Sequence, residues 1–230
     1  MSNGLSYSLQ DFIPFTADIY FRLLERMGET YWPLHLLMLI LGLVTCWLAW
    51  KHRARLAAVL IAPAWGFVAY AFFMQLYAEL NWAGGYIAYF FFTQAILLLM
   101  ALTGIGLDSR PRKGAFALGI AIAFSGLLVM PFIGPLSSGS WFQAEVFGVH
   151  PDPTAVTTLG LVVLLFRGWY LWLIAIIPAL WLLYSGLTLW ALEATPAAMV
   201  IFVLLGTAMM GLVCKSFGYS LVTQDNTHDG

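Results

Sequence analysis

The sequence predicts an all-α polytopic membrane bundle: seven transmembrane helices preceded by an N-terminal amphipathic helix lying in the interface. Three observations carry this. The 230-residue chain is 62% hydrophobic and only 9% charged, against about 45–50% apolar in soluble domains. Its apolar runs follow one another with short breaks, and several reach the roughly 20 residues that cross a bilayer. Its basic residues gather on alternate loops, as cytoplasmic loops do.

Taken in order, MSNGLSYSLQDF carries no basic region followed by an apolar core, so no cleaved signal peptide is expected. From Thr16 the apolar residues Ile19, Tyr20, Leu23, Leu24 and Met27 recur at helical spacing, with Asp18, Arg22, Glu25, Arg26 and Glu29 on the other face. That pattern suits a helix lying in the headgroup region. Seven spans are expected near 33–50, 56–77, 86–107, 115–134, 154–168, 169–192 and 197–216. The resulting division is an outer interfacial segment 1–32, a transmembrane domain 33–216 and a cytoplasmic tail 217–230. Pro63 and Pro178 fall inside spans, where proline removes a backbone donor. Ala115, Gly119 and Ala123 form a small-residue row that permits close helix contact. Arg167-Gly168 separates two spans and demands a tight turn. Cys46 and Cys214 sit in apolar runs and suggest no disulfide.

Lys51, Arg53, Arg55, Arg110, Arg112, Lys113, Arg167 and Lys215 fall on one side, and only Arg22 and Arg26 opposite. The positive-inside rule puts the N-terminus outside and the C-terminus in the cytoplasm. Asp11, Asp18, Glu25, Glu29, Glu79, Glu145, Asp152 and Glu193 then lie outside, an acidic face that attracts cations and repels anions. A formal charge of -1 gives no polyanion-binding signal, so nucleic acid is not an expected partner.

The polar stretch WFQAEVFGVHPDPTAVTTLG, residues 141–160, is the centre of the functional reading. It brings Glu145, His150 and Asp152 within eight residues. Asp152-Pro153 reads first as an N-cap and first helical residue. The helix from Thr154 to Phe166 spans about 20 Å against about 30 Å of hydrocarbon. Its outer end therefore starts below the surface and draws the preceding loop into the bundle, which backbone tolerates only against protein or a wet cavity. Glu145 is expected to be held there by backbone N–H groups or by His150. The candidate ligand-binding set is Glu145, His150, Asp152 and Thr154, joined from other spans by Gln75, Glu79 and His35. Thr157 and Thr158 share a face with Thr154. No zinc signature such as H-E-x-x-H is present, so the metal reading stays open on Glu145, His150 and Asp152 alone. Gln94, mid-span, is expected to bond a neighbouring helix. Lys215 resembles the Schiff-base lysine of microbial rhodopsins only faintly, since the third span lacks a counter-ion. Snorkelling to the interface accounts for it better.

The segments YSLQDFIPF…YFRLLERMGETYWP, NWAGGYIAYFF, SWFQAEVFGVHPDPTAVTTLG and IPALWLLYSGLTLWAL resemble a family of small bacterial multi-pass membrane proteins known only as a domain of unknown function. Some members carry a permease label. The resemblance spans nearly the whole chain, its most specific part running from Gln143 to Gly160. It implies a bacterial inner-membrane bundle and supplies no activity, cofactor or catalytic residue. Three functions stay open: binding or transport of a small solute at the outer acidic site, a structural or accessory membrane subunit, and a metal-dependent membrane enzyme.

Overall fold

The computed structural model describes residues 13–108, 111–138 and 140–228, with the side chains of all but 137, 138 and 218–228. The described residues form a helical bundle: α1 (Ala17–Trp50), α2 (Ala54–Leu80), α3 (Gly84–Thr103), α4 (Lys113–Leu136), α5 (Pro151–Leu165), α6 (Gly168–Ala191) and α7 (Thr195–His228). Six of these, all but α5, contain a stretch long and apolar enough to cross a membrane. The chain is built as a membrane protein. The fifth expected span, near 154–168, is α5, with 15 residues and a length of about 22 Å.

The amphipathic segment and the first span form one helical run. Its break is at Tyr31 (φ -116°, ψ 19°), two residues before Pro33. Proline explains the position, because its ring crowds the carbonyl four residues back and its own N–H is missing. Before the break, Tyr20, Leu23, Leu24 and Met27 are buried, as the spacing predicts, whereas Ile19 stays exposed. A π-helical stretch, Val68–Tyr77, widens α2 in its second half.

The core surrounds α5. All fifteen of its residues are buried, and it packs against α1, α2, α4, α6 and α7. Small residues make the closest approach possible. A Cβ on Gly119 of α4 would lie 2.7 Å from the Gly160 carbonyl oxygen, and one on Gly160 would lie 2.6 Å from the Gly119 oxygen. The expected small-residue row therefore faces α5 through Gly119. The three threonines of α5 have no exposed surface. Thr157 reaches the Ala123 carbonyl of α4, and Thr158 accepts from Trp65 Nε1 of α2 at 2.9 Å. Gln94 of α3 donates to the Ile174 carbonyl of α6 at 3.0 Å, the expected interhelical bond.

At the end of the bundle that carries Lys51, Arg53, Arg112 and Lys113, the loop after α3 folds under α5. Asp108 N donates to the Leu165 carbonyl at 2.7 Å, and Arg167 N to the Gly106 carbonyl at 2.8 Å. The Arg167–Gly168 turn is tight, with Gly168 at φ +64°. Lys215 departs from the expectation. Instead of snorkelling outward it points into the bundle, 3.0 Å from Asp108 Oδ2, and donates to the Val163 carbonyl at 2.7 Å. The reason is the loop, which delivers a carboxylate to a depth where an unpaired ammonium would be costly.

Filling the α4–α5 contact gives a direct check. Gly160→Val should destabilise the protein by about 1–3 kcal/mol or more, the range for overpacking a tight core. Thermal unfolding in detergent reads it, and an unchanged midpoint would contradict this packing.

Candidate functional site

The site begins with where α5 starts. The helix opens at Pro151, with His150 as its N-cap residue in extended conformation (φ -109°, ψ 148°). Asp152 is thus not the cap, correcting the local reading of Asp-Pro. Proline suits the first helical turn because the N–H it lacks would have no intrahelical partner. No side chain caps the helix start; Thr154 instead ties the loop to the helix, accepting from Gly148 N at 2.7 Å and donating to the His150 carbonyl at 2.6 Å. Gly148 sits at φ +75°, a conformation open to glycine without steric cost. A Cβ there would also meet the Met38 sulfur at 2.8 Å.

Freed from capping, Asp152 reaches across to α6. Trp181 Nε1 donates to its Oδ1 at 2.7 Å and Ser185 Oγ to its Oδ2 at 2.7 Å. Asp152 has no exposed surface. Its depth follows from helix geometry. Trp181 and Ser185 lie about 15 and 9 Å short of the α6 end at Ala191, and Asp152 stands about 20 Å from the other end of α5 at Leu165. The carboxylate is therefore inside the apolar layer.

Its neighbours come from three directions. From the loop comes Glu145, electrostatically next to Asp152, with Oε2 buried and without a hydrogen-bond partner among the described residues. From α1 comes Tyr20, buried, in the field of both carboxyls and of Tyr77 and Tyr184. From α2 comes Tyr77, whose hydroxyl is 2.9 Å from that of Tyr184 on α6. His150 accepts Val146 N–H on Nδ1 at 3.1 Å. An accepting imidazole nitrogen carries no proton, so His150 is neutral with its proton on Nε2. That nitrogen makes no well-formed hydrogen bond, although the Leu24 carbonyl is within its neighbourhood. His35 brings its ring to 5.7 Å from that of His150, and its Nε2 is likewise buried and unpartnered.

The structure thus gathers Glu145, His150, Asp152, Thr154 and His35 around the start of α5. Gln75 and Glu79 are exposed and face α1 instead: Gln75 accepts from the Tyr31 hydroxyl at 3.3 Å, and Glu79 pairs with Arg26 at 3.6 Å. Glu145 is not held by His150, whose Nδ1 is taken by Val146. Among the described residues no three of His, Cys, Asp and Glu are placed to hold one metal ion. Sequence reasoning missed Tyr20, Tyr77, Trp181, Tyr184 and Ser185. Only one signal pointed to them: Trp181 and Ser185 are four apart, hence on one helix face.

A family model, described as "Family of unknown function (DUF6064)", matches residues 17–219. The chain belongs to this family. The match takes in α1 to α6, the apolar part of α7 and every residue of the site. No curated protein and no solved structure matches the chain.

The loop and the aspartate each yield a test. Burial, and after it the Asp152 charge, raises the Glu145 carboxyl well above its ordinary value of 4.5. The folded state then holds a proton that the unfolded chain has already lost, so stability falls as pH rises above 4.5 toward the raised value. Melting curves across that range should show the slope, and Glu145→Gln should flatten it. An identical slope in both proteins would contradict the buried carboxyl. Separately, Asp152→Ala leaves the Trp181 N–H and the Ser185 hydroxyl without their acceptor, a cost of about 1–3 kcal/mol for each buried group. A double-mutant cycle between Asp152→Ala and Trp181→Phe should show a coupling of about 0.5–3 kcal/mol. Strict additivity would contradict the bond.

Proposed function

We propose that this protein binds or transports a small solute through an acidic site reached from the outer face of a bacterial inner membrane. In this reading the N-terminus is outside and the C-terminus cytoplasmic. The observation that carries it is Asp152, fully buried at hydrocarbon depth beside Glu145, whose Oε2 has no partner among the described residues. Ionisable groups inside a membrane are expensive and mark substrate or ion pathways, and a helix that begins within the bilayer is where transporters place their sites. Two carboxyls in apolar surroundings select a cation or a proton over an anion.

The second reading is a structural or accessory subunit. It draws support from the same carboxylate, since both Asp152 oxygens already have donors and α5 is enclosed on every side. Asp152→Asn separates the two, because it removes the charge and retains the shape. Purified protein would be melted in detergent with sodium, potassium, ammonium, methylammonium or guanidinium, and choline as the bulky control. Solute binding predicts that at least one small cation raises the melting point of the wild type and fails to raise that of Asp152→Asn. If none stabilises the wild type, binding of a small cation other than a proton is contradicted. Orientation has its own check: a reporter active only in the periplasm, fused after Gly230, should be silent, and activity there would reverse the assignment.

A further inference from the structure

Where α2 ends, its last turns and the first half of α1 enclose a recess of about 180 Å³. Ile19, Leu76 and Leu80 form its apolar part, and Arg22, Arg26 and Glu79 its charged part. α2 is long and apolar enough to cross a membrane and finishes at Leu80. The recess therefore stands at the level where hydrocarbon gives way to headgroups. Trp82, 81% exposed just beyond that end, is a residue type that marks this level. Arg22 and Arg26 are four apart and so neighbours on one helix face. They are also the two basic residues that the charge pattern sets apart from the others. Arg26 Nη1 lies 3.6 Å from Glu79 Oε2, and the two side chains are 65% and 64% exposed; an exposed pair of that kind holds weakly. Among the described residues no carboxylate, Asp18 one turn earlier included, comes within ion-pair distance of Arg22. Two guanidiniums against one carboxylate leave one positive charge over.

We propose that this recess binds the headgroup of an anionic glycerophospholipid, with the phosphodiester held by Arg22 and Arg26 and the start of the acyl chains lying on Ile19, Leu76 and Leu80. The proposal does not depend on the acidic site, and in the orientation proposed above the lipid belongs to the outer leaflet. A guanidinium presents its N–H donors as a planar fork that takes two phosphate oxygens at once. Two of them one turn apart can close on one phosphate. A free anion would meet the charge and leave the apolar lining uncovered, whereas a lipid meets both. It also accounts for Ile19, which stays 43% exposed in a segment whose other apolar residues are buried. The consequence falls on α1. The same half-helix closes over the loop before α5, where Glu25 accepts from Ser140 at 2.8 Å. A lipid bridging α1 to the end of α2 holds that cover in place.

The experiment is thermal unfolding in detergent while phosphatidylglycerol is added. Phosphatidylethanolamine and phosphatidylcholine with the same acyl chains, and inorganic phosphate, form separate arms. Phosphatidylglycerol should raise the wild-type melting point. The half-maximal concentration should rise about fivefold in Arg22→Gln and again in Arg26→Gln, the contribution of one basic residue beside an anionic lipid surface. Both arginines are exposed, so without lipid the variants should melt close to the wild type. Glu79→Gln removes the competing carboxylate and should lower the half-maximal concentration, which a purely structural Arg26–Glu79 pair would not do. A wild-type response in the Arg22→Gln/Arg26→Gln double variant would overturn the site. Equal stabilisation by phosphatidylethanolamine or phosphatidylcholine would overturn its selection of an anionic headgroup, and equal stabilisation by inorganic phosphate would replace the lipid with a free anion.

Discussion

The bonds from Trp181 and Ser185 to Asp152 are the constraint on which the rest of the arrangement depends. A carboxylate without exposed surface, inside an apolar layer, requires donors of fixed geometry. α6 supplies two from one face, one turn apart. Once Asp152 is tied to α6, α5 must begin at that depth. The loop that precedes it must then come inward, and its backbone must be satisfied there. Thr154, the Nδ1 of His150 and the left-handed Gly148 accomplish this. The break at Tyr31 lets the first half of α1 close over the loop. Glu25 accepts from Ser140 at 2.8 Å, and Gly28 leaves room for the Phe142 carbonyl.

The other end of α5 is handled in the complementary way. Its N-terminus carries Asp152 in the first turn, and near its C-terminus Lys215 donates to the Val163 carbonyl. Acid at the start and cation at the end both agree with the helix dipole. Asp108 compensates the lysine at 3.0 Å. A short helix buried on every side thus has an ionisable group at each end, and between them uncharged packing set by Gly119, Gly160, Thr157 and Thr158. The two ends differ in one respect that matters for function. The Asp108–Lys215 pair has opposite charges in contact, whereas Asp152 and Glu145 are like groups, of which one has an unused oxygen. The proposed uptake of a positive ion is assigned to the second.

Much of this was legible in the sequence because it depends on local pattern. Apolar run length marked the spans, and the mere 13 residues from Thr154 to Phe166 marked α5 as the helix that does not reach the surface. The buried face of early α1 followed from Tyr20, Leu23, Leu24 and Met27. What failed depends on distant partners. Asp152-Pro153 has a strong local meaning as a cap, and nothing near it reveals that Trp181 and Ser185 compete for the carboxylate. Lys215 looked like an interfacial lysine because its partner Asp108 lies more than a hundred residues away. Tyr77 and Tyr184, 107 residues apart, carry no local sign that their hydroxyls meet. Glu145 and His150 adjoin in sequence, but the Val146 N–H takes the imidazole nitrogen that would have met the carboxylate.

The central claim is that the polar loop before α5 is part of the bundle interior. Hydrogen exchange read by mass spectrometry, on protein in lipid nanodiscs, tests it most directly. Amides of the loop from Val146 to His150, bonded to Val146 and Thr154 and shielded by α1, should exchange as slowly as those of α5 itself. Exchange at the rate of an exposed surface loop would contradict the account, because Asp152 would then stand at the membrane surface rather than within it.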